Sequence, residues 1–300
     1  MYFSTSFVAI LAAASTAKAF QFSEVAAAAS DIKRSRASCP AVWSDISTTL
    51  TAQFLADGQC TDAARAAIRG AFHDCFNGAC DGSLILADEC SNSENNGLAQ
   101  LCGQLGSLAT QKSVGVADLI QFAAAHAIKT CPGGPTVPVK VGRKDSSTAN
   151  ALGVLPSAGI SGADAVKLFA SKGFSAIDLA ALIGAHTASR QFSTGSPSGA
   201  SQDSTPGQWD NKYYSETQSG TAPFTFQSDK NIAKNLLTTI PFKSFAASKS
   251  AWDIAFVPAM VKMSMIGVDS HGLVDCTSAL PGGSSKRDIR GTSVWDRLRL

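Results

Sequence analysis

The chain has 300 residues, enough for one large domain or two lobes sharing an interface. It carries 25 Lys plus Arg against 23 Asp plus Glu, a formal charge of +2 with no basic stripe, which argues against a nucleic-acid partner. Alanine is abundant and segments that alternate with period two are few, so a mainly helical protein with little strand is expected.

In chain order, residues 1–19 hold an apolar run ending in Ala17-Lys18-Ala19, the pattern of a secretory signal peptide. Residues 20–36 are Ala-rich and close on basic pairs, either a pro-segment trimmed near Arg34 or Arg36 or an unstructured tail. The folded domain is expected over 37–284, with a basic, polar tail over 285–300. No later stretch has the length and apolarity of a membrane-spanning helix, so no membrane partner is expected. Eight cysteines lie beyond the leader, an even count that predicts four disulfides in an exported chain. A zinc site is disfavoured because no CxxC pair occurs.

A first helix is expected from Cys39 to Leu55, and a second from Asp62 to Cys75 with Thr61 as N-cap. Asn77–Ser83 reads as a turn-rich loop and Cys90–Gly97 as irregular. Val116–Lys129 is a strongly amphipathic helix broken by CPGGPTVPV. Ser175–Gln191 reads as one helix opened by Ser175 with Asp178 three residues on. A Ser/Pro/Gly-rich loop follows over 193–210, then helices over Asp229–Leu237 and Ser250–Ile266.

The chemistry concentrates in RGAFHDCFNGACDGS, residues 69–83. Arg69 and His73 stand four apart and share one helix face. Such a pair suits peroxide: the imidazole can move a proton from one oxygen to the other, and the guanidinium can stabilise charge on the leaving oxygen. His186 lies in LIGAHTASR, His126 within a helix and His271 in a loop.

AFHDCFNGACDGS resembles the distal-haem segment of the plant (non-animal) peroxidase superfamily, and DLAALIGAHTASR resembles its proximal-haem helix. The likeness continues through VADLIQFAAAHAI, VGRKDS, DSTPGQWDNKYY and QSDKNIAKN, covering roughly residues 38–280, and is greatest to the secreted fungal class II-like enzymes. It implies a two-lobed helical fold with haem b between distal and proximal lobes. The implied function is a secreted, monomeric peroxidase that uses hydrogen peroxide to oxidise small phenolic and aromatic donors. The alternative is a secreted haem-binding protein that keeps the fold without turnover.

The resemblance also implies roles. Arg69 and His73 become the distal pair, with Phe72 over the haem and Asn95 accepting the His73 Nδ1 proton, its loop supported by Glu89. His186 becomes the axial ligand, Asp229 its carboxylate partner and Arg190 a propionate contact. Two Ca²⁺ are implied: one at Asp74, Asn77, Ala79, Asp81 and Ser83, the other at Thr187, Asp203, Thr205, Gln208 and Asp210. The resemblance implies the disulfides Cys39–Cys276, Cys60–Cys131 and Cys75–Cys80, which leaves Cys90 and Cys102 as the fourth pair by elimination.

Three departures shape the expected specificity. Manganese-oxidising relatives use three carboxylates where this chain has Asp62, Ala66 and Phe192. Ala181 replaces the exposed Trp of lignin-attacking relatives, leaving Trp295 in the tail as a candidate surface aromatic. Gln202 stands where an aromatic usually precedes the Asp matched by Asp203, so either the local match shifts there or the proximal pocket is more polar.

Overall fold

The structure is a computed structural model that describes residues 38–192 and 197–282. The expected leader, pro-segment and Trp295 tail lie outside the described residues.

Among the described residues the architecture is helical. One group holds α1 (Val42–Phe54), α2 (Asp62–Asn77), the single turn α3 (Ser83–Leu86), α4 (Ala99–Lys112) and α5 (Val116–Thr130). The second holds α6 (Gly162–Ser171), α7 (Ala176–Ile183), α8 (Lys212–Ser219), α9 (Gln227–Lys234), α10 (Thr239–Ala247) and α11 (Lys249–Met263). Strand among the described residues is confined to two antiparallel pairs: β1 (Leu55–Ala56) with β2 (Gln59–Cys60), and β3 (Lys140–Val141) with β4 (Val274–Asp275).

The core of the first group is α2 against α5. Both are rich in alanine, and Ala64, Ala67, Ala71, Ala123, Ala124 and Ala127 are all but fully buried. Small side chains let the two axes approach, so α5 is buried nearly all round. Asp145 accepts from the Val116 and Ala117 amides and so caps α5 from a distant loop. In the second group α7 lies on α11, under an aromatic cluster of Trp209, Tyr213, Tyr214, Phe242, Trp252 and Phe256. Trp43, Trp209 and Trp252 are thus core residues.

Four disulfides tie the domain: Cys39–Cys276, Cys60–Cys131, Cys75–Cys80 and Cys90–Cys102. The pairs join residues 237, 71, 5 and 12 positions apart, so the first closes nearly the whole described chain into one loop.

Several elements differ from the sequence expectation. The helix expected over Ser175–Gln191 is α only to Ile183 and tightens into a 3₁₀ segment over Gly184–Ala188. The cause is tertiary: Tyr214 Oη and Trp252 Nε1 donate to the carbonyls of Ala180 and Ala181, at 2.8 and 2.9 Å. Gly184 permits this, since a Cβ there would lie 2.1 Å from Tyr214 Oη. The irregular stretch at Cys90–Gly97 contains two 3₁₀ turns, Glu89–Ser91 and Ser93–Asn95. Helices α4, α6, α8 and α10 were not expected; their periodicity is diluted by Gly, Ser and Thr.

Candidate active site

A cavity of about 1050 Å³ lies between the two helix groups. Its distal wall carries Arg69, Phe72, His73 and Leu98; its proximal wall carries Leu179, Leu182, His186, Phe226 and Met260. One histidine therefore borders the cavity from each side.

His73 sits at the buried face of α2, 9 % exposed. Its Nδ1 donates to Asn95 Oδ1 at 2.6 Å. Asn95 is oriented in turn by its Nδ2, which donates to the Glu89 carbonyl at 2.7 Å. That fixes the amide so that its oxygen faces the ring, placing the proton on His73 Nδ1 and leaving Nε2 as acceptor. Arg69 Nε donates to this Nε2 at 3.1 Å, while its Nη1 and Nη2 donate to the carbonyls of Asn96 and Glu94 at 2.7 and 3.1 Å. Burial, then the Arg69 charge, pushes the His73 pKa down to about 3 against the lesser effect of the Asn95 bond. His73 is thus a neutral imidazole whose unprotonated Nε2, now accepting from Arg69, is its base nitrogen.

The Asn95 loop is tied to the end of α2. Glu89, buried, accepts from the Asn150 backbone N–H at 2.7 Å and from Asn150 Nδ2 at 3.2 Å. Asn150 Nδ2 also donates to Ser83 Oγ at 2.8 Å. Nothing in the sequence around Asn150 marks it; only the folded loop brings it to Glu89. Phe72 stacks on Phe76 with ring centroids 4.8 Å apart and borders the cavity.

On the proximal side, His186 Nδ1 donates to Asp229 Oδ1 at 3.0 Å. The fully buried Asp229 also accepts from the Tyr213 hydroxyl on Oδ1 at 3.0 Å and from the Phe226 amide on Oδ2 at 3.1 Å. Tyr213 and Phe226 flank the His186 ring at 5.7 and 5.8 Å, supplying aromatic neighbours from positions other than 202. Burial, then the Asp229 charge, holds the Tyr213 pKa well above its ordinary value, so the hydroxyl is a neutral donor. Gln202 is 1 % exposed, and neither its side-chain Nε2 nor its Oε1 has a hydrogen-bond partner among the described residues. Arg190 lies on the cavity rim and pairs in a short bridge with Ser201.

The cavity fits a flat apolar cofactor held by one nitrogen ligand. Asp229 takes Nδ1 of His186, which leaves Nε2 for a metal, and the walls are mostly aliphatic and aromatic while Arg65 and Arg190 supply cations at the rim. His126 is not part of this site: it is fully buried, bonded to Thr51 and Thr130, and burial lowers its pKa to about 4. His271 is exposed beside Asp269.

Two oxygen-rich clusters flank the histidines. Asp74 and Ser83 are fully buried and Asn77 nearly so; Asp74 accepts from the Gly82 and Leu84 amides and Asp81 from the Ser83 amide. Burial, with the Asp81 and Glu89 charges adding to it, lifts the Asp74 pKa to about 7, and Asn77 Oδ1 has no partner among the described residues. Gly82 has φ +78°, and a Cβ there would lie 2.8 Å from the Ala117 nitrogen, so the turn requires glycine. On the other side Thr187 Oγ1 donates to Asp203 at 2.5 Å and to Asp210 at 3.4 Å, Thr205 Oγ1 donates to Asp210 at 2.8 Å, and the Gln208 amide bonds the Thr205 carbonyl. Burial raises the Asp203 pKa to about 6. Among the described residues neither cluster reaches three carboxylate or imidazole groups, so hydroxyls and carbonyls would have to complete a coordination shell.

Comparison with known proteins agrees with this arrangement. A family profile described as peroxidase matches residues 42–248. A peroxidase of Arthromyces ramosus is 28 % identical over 278 residues, covering 81 % of this chain and 76 % of the relative. A low-redox potential peroxidase of Taiwanofungus camphoratus is 32 % identical over 261 residues, covering 80 % and 77 %. Manganese peroxidase 3 of Phlebia radiata is 27 % identical over 284 residues, covering 79 % and 78 %. With the helical architecture and two histidines facing across one cavity, these matches place the chain in the peroxidase family of plants and fungi, haem-dependent oxidoreductases that act on hydrogen peroxide.

Proposed function

We propose that this chain is a secreted, monomeric haem b peroxidase, supported by two Ca²⁺, that oxidises small phenolic and aromatic donors in one-electron steps. The observation that carries this reading is the pair of oppositely poised histidines: His73 with an unprotonated Nε2 that accepts from Arg69, and His186 backed by Asp229. Four disulfides support an extracellular setting.

Haem b held through His186 Nε2 would supply the redox centre and the two electrons that cleavage of the O–O bond consumes, and Arg190 on the cavity rim would meet a propionate. His73 Nε2 takes a proton from one oxygen of hydrogen peroxide and returns it to the other, which then leaves as water. The Arg69 guanidinium stands 3.1 Å from that nitrogen and stabilises negative charge on the departing oxygen. Asn95 holds the tautomer that leaves Nε2 unprotonated. On the far side Asp229 orients His186 and increases the basicity of its ring.

Among the described residues the buried carboxylates of Asp74 and Asp203 form no salt bridge, the Arg143 guanidinium that Asp74 senses being bonded to Asp118, which supports a bound cation beside each histidine. Each cation would pin the segment that carries its histidine. The donor preference rests on the cavity mouth, where Asp62, Ala66 and Phe192 supply one carboxylate in place of a manganese-binding set.

The test is a visible spectrum of the secreted protein before and after one equivalent of peroxide, followed by a phenol. A Soret band that weakens with peroxide and recovers with the phenol is expected. A normal haem spectrum indifferent to peroxide would instead mean binding without turnover.

A further inference from the structure

Asp229 has two donors on a single oxygen. His186 Nδ1 and the Tyr213 hydroxyl both approach Oδ1 at 3.0 Å, while the Phe226 amide takes Oδ2 at 3.1 Å. We infer that Tyr213 is a positioning residue for the axial imidazole: its hydroxyl shares Asp229 Oδ1 with His186 and so limits the negative charge that this carboxylate passes to the ring.

Tyr213 is fully buried, and Asp229 is its hydrogen-bond partner among the described residues. Its ring is packed against Tyr214 at 5.2 Å and Phe242 at 5.8 Å, which keeps the hydroxyl oxygen beside Asp229. The backbone amide of Phe226 already anchors the carboxylate on the opposite oxygen. The Tyr213 bond is therefore not needed to hold Asp229 in place; what it changes is the strength of the acceptor that His186 meets. A donor on the shared oxygen withdraws charge from it, weakening the pull on the His186 proton and leaving the ring less imidazolate-like. WDNKYY was legible in the sequence as a segment, but this contact between α8 and the start of α9 is set only by the fold.

The inference rests on His186 Nε2 binding the haem iron. It is tested on the haem-loaded protein reduced to the ferrous state, reading the iron–histidine stretch by resonance Raman and the ferric/ferrous midpoint potential. Tyr213→Phe should raise the stretch by several wavenumbers and move the potential to more negative values, because Oδ1 then serves His186 alone. Asp229→Asn should move both in the opposite direction. A purely structural role for Tyr213 predicts a lowered or broadened band in Tyr213→Phe, and that result, or an unmoved band, overturns the inference. If Tyr213→Phe does not accumulate, 3-fluorotyrosine at position 213, a stronger donor of the same shape, should lower the stretch; no change there also overturns it. A wild-type band that is missing, or that persists in His186→Gly, overturns the assignment of His186 itself, an outcome distinct from the failure of the Tyr213 role.

Discussion

His73 and Asn95 are joined by a 2.6 Å hydrogen bond between two residues 22 positions apart, and that bond decides which imidazole nitrogen is a base. Replacing Asn95 by Ala removes the acceptor for the Nδ1 proton and lets the ring turn or exchange tautomers. The bimolecular rate with peroxide is expected to fall about tenfold or more in Asn95→Ala, and about 10²–10⁴-fold in His73→Ala, where the proton carrier itself is gone. Stopped-flow mixing at several peroxide concentrations measures both; a His73→Ala rate within tenfold of wild type removes the proton-carrying role.

The His73 pKa of about 3 sets the pH profile. The peroxide rate is expected to stay flat from neutral pH down to about pH 4 and to fall only as His73 becomes protonated. Stability carries the matching sign. The unfolded chain binds this proton near the ordinary 6.5 and the native one only near 3, so the unfolded state takes up more protons between them. The His73 contribution therefore turns against the native state as pH falls through that window. A rate profile with its midpoint near 6.5 contradicts the assignment.

Asn150 ties Glu89 to Ser83, linking the Asn95 loop to the cluster at the end of α2. Asn150→Ala removes the two side-chain bonds to buried acceptors and is expected to cost about 1–3 kcal/mol. At about 2–4 °C per kcal/mol this is visible in a thermal melt. If calcium binds at Asp74 and Ser83, the same variant weakens calcium retention, measured as metal content after dialysis against a graded chelator.

Calcium removal tests both clusters together. A chelator is expected to lower the Tm, since an ion bound only to the native state stabilises it by mass action. The Soret band should shift at the same time, because Thr187 directly follows His186 and Asp74 directly follows His73. An unchanged Soret band after verified calcium loss ends the proposal that these ions hold the pocket.

Asp62, Ala66 and Phe192 border one cavity mouth, and the one carboxylate among them is paired with Arg65 at 2.8 Å. Phe192 is 59 % exposed there. Saturable oxidation of a simple phenol is expected, with no saturable dependence on Mn²⁺. The double variant Ala66→Glu, Phe192→Asp, which completes three carboxylates, should acquire Mn²⁺-dependent turnover; a wild-type protein that already saturates with Mn²⁺ contradicts this account.

Much of the site was legible because its parts are local. Arg69 and His73 share a helix face, Asp81–Ser83 is a tight glycine turn, and the Ser175–Asp178 capping box starts α7 as its sequence predicts. The α-helix that the sequence extends to Gln191 ends at Ile183 because the carbonyls there are taken by Tyr214 and Trp252, which local periodicity does not register. The four unexpected helices failed for a related reason, their weak local pattern being stabilised by burial against neighbours.

The sequence by itself determined the residue chemistry, the helical class and the segments bearing each histidine, because composition, period and short motifs are properties of neighbouring residues. The tertiary structure alone decided that Asn150 meets Glu89, that Tyr213 and His186 share one oxygen of Asp229, and that the Gln202 side chain is buried with no partner among the described residues. These contacts join residues from separate elements, and their geometry follows from how the helices pack, which no local pattern encodes.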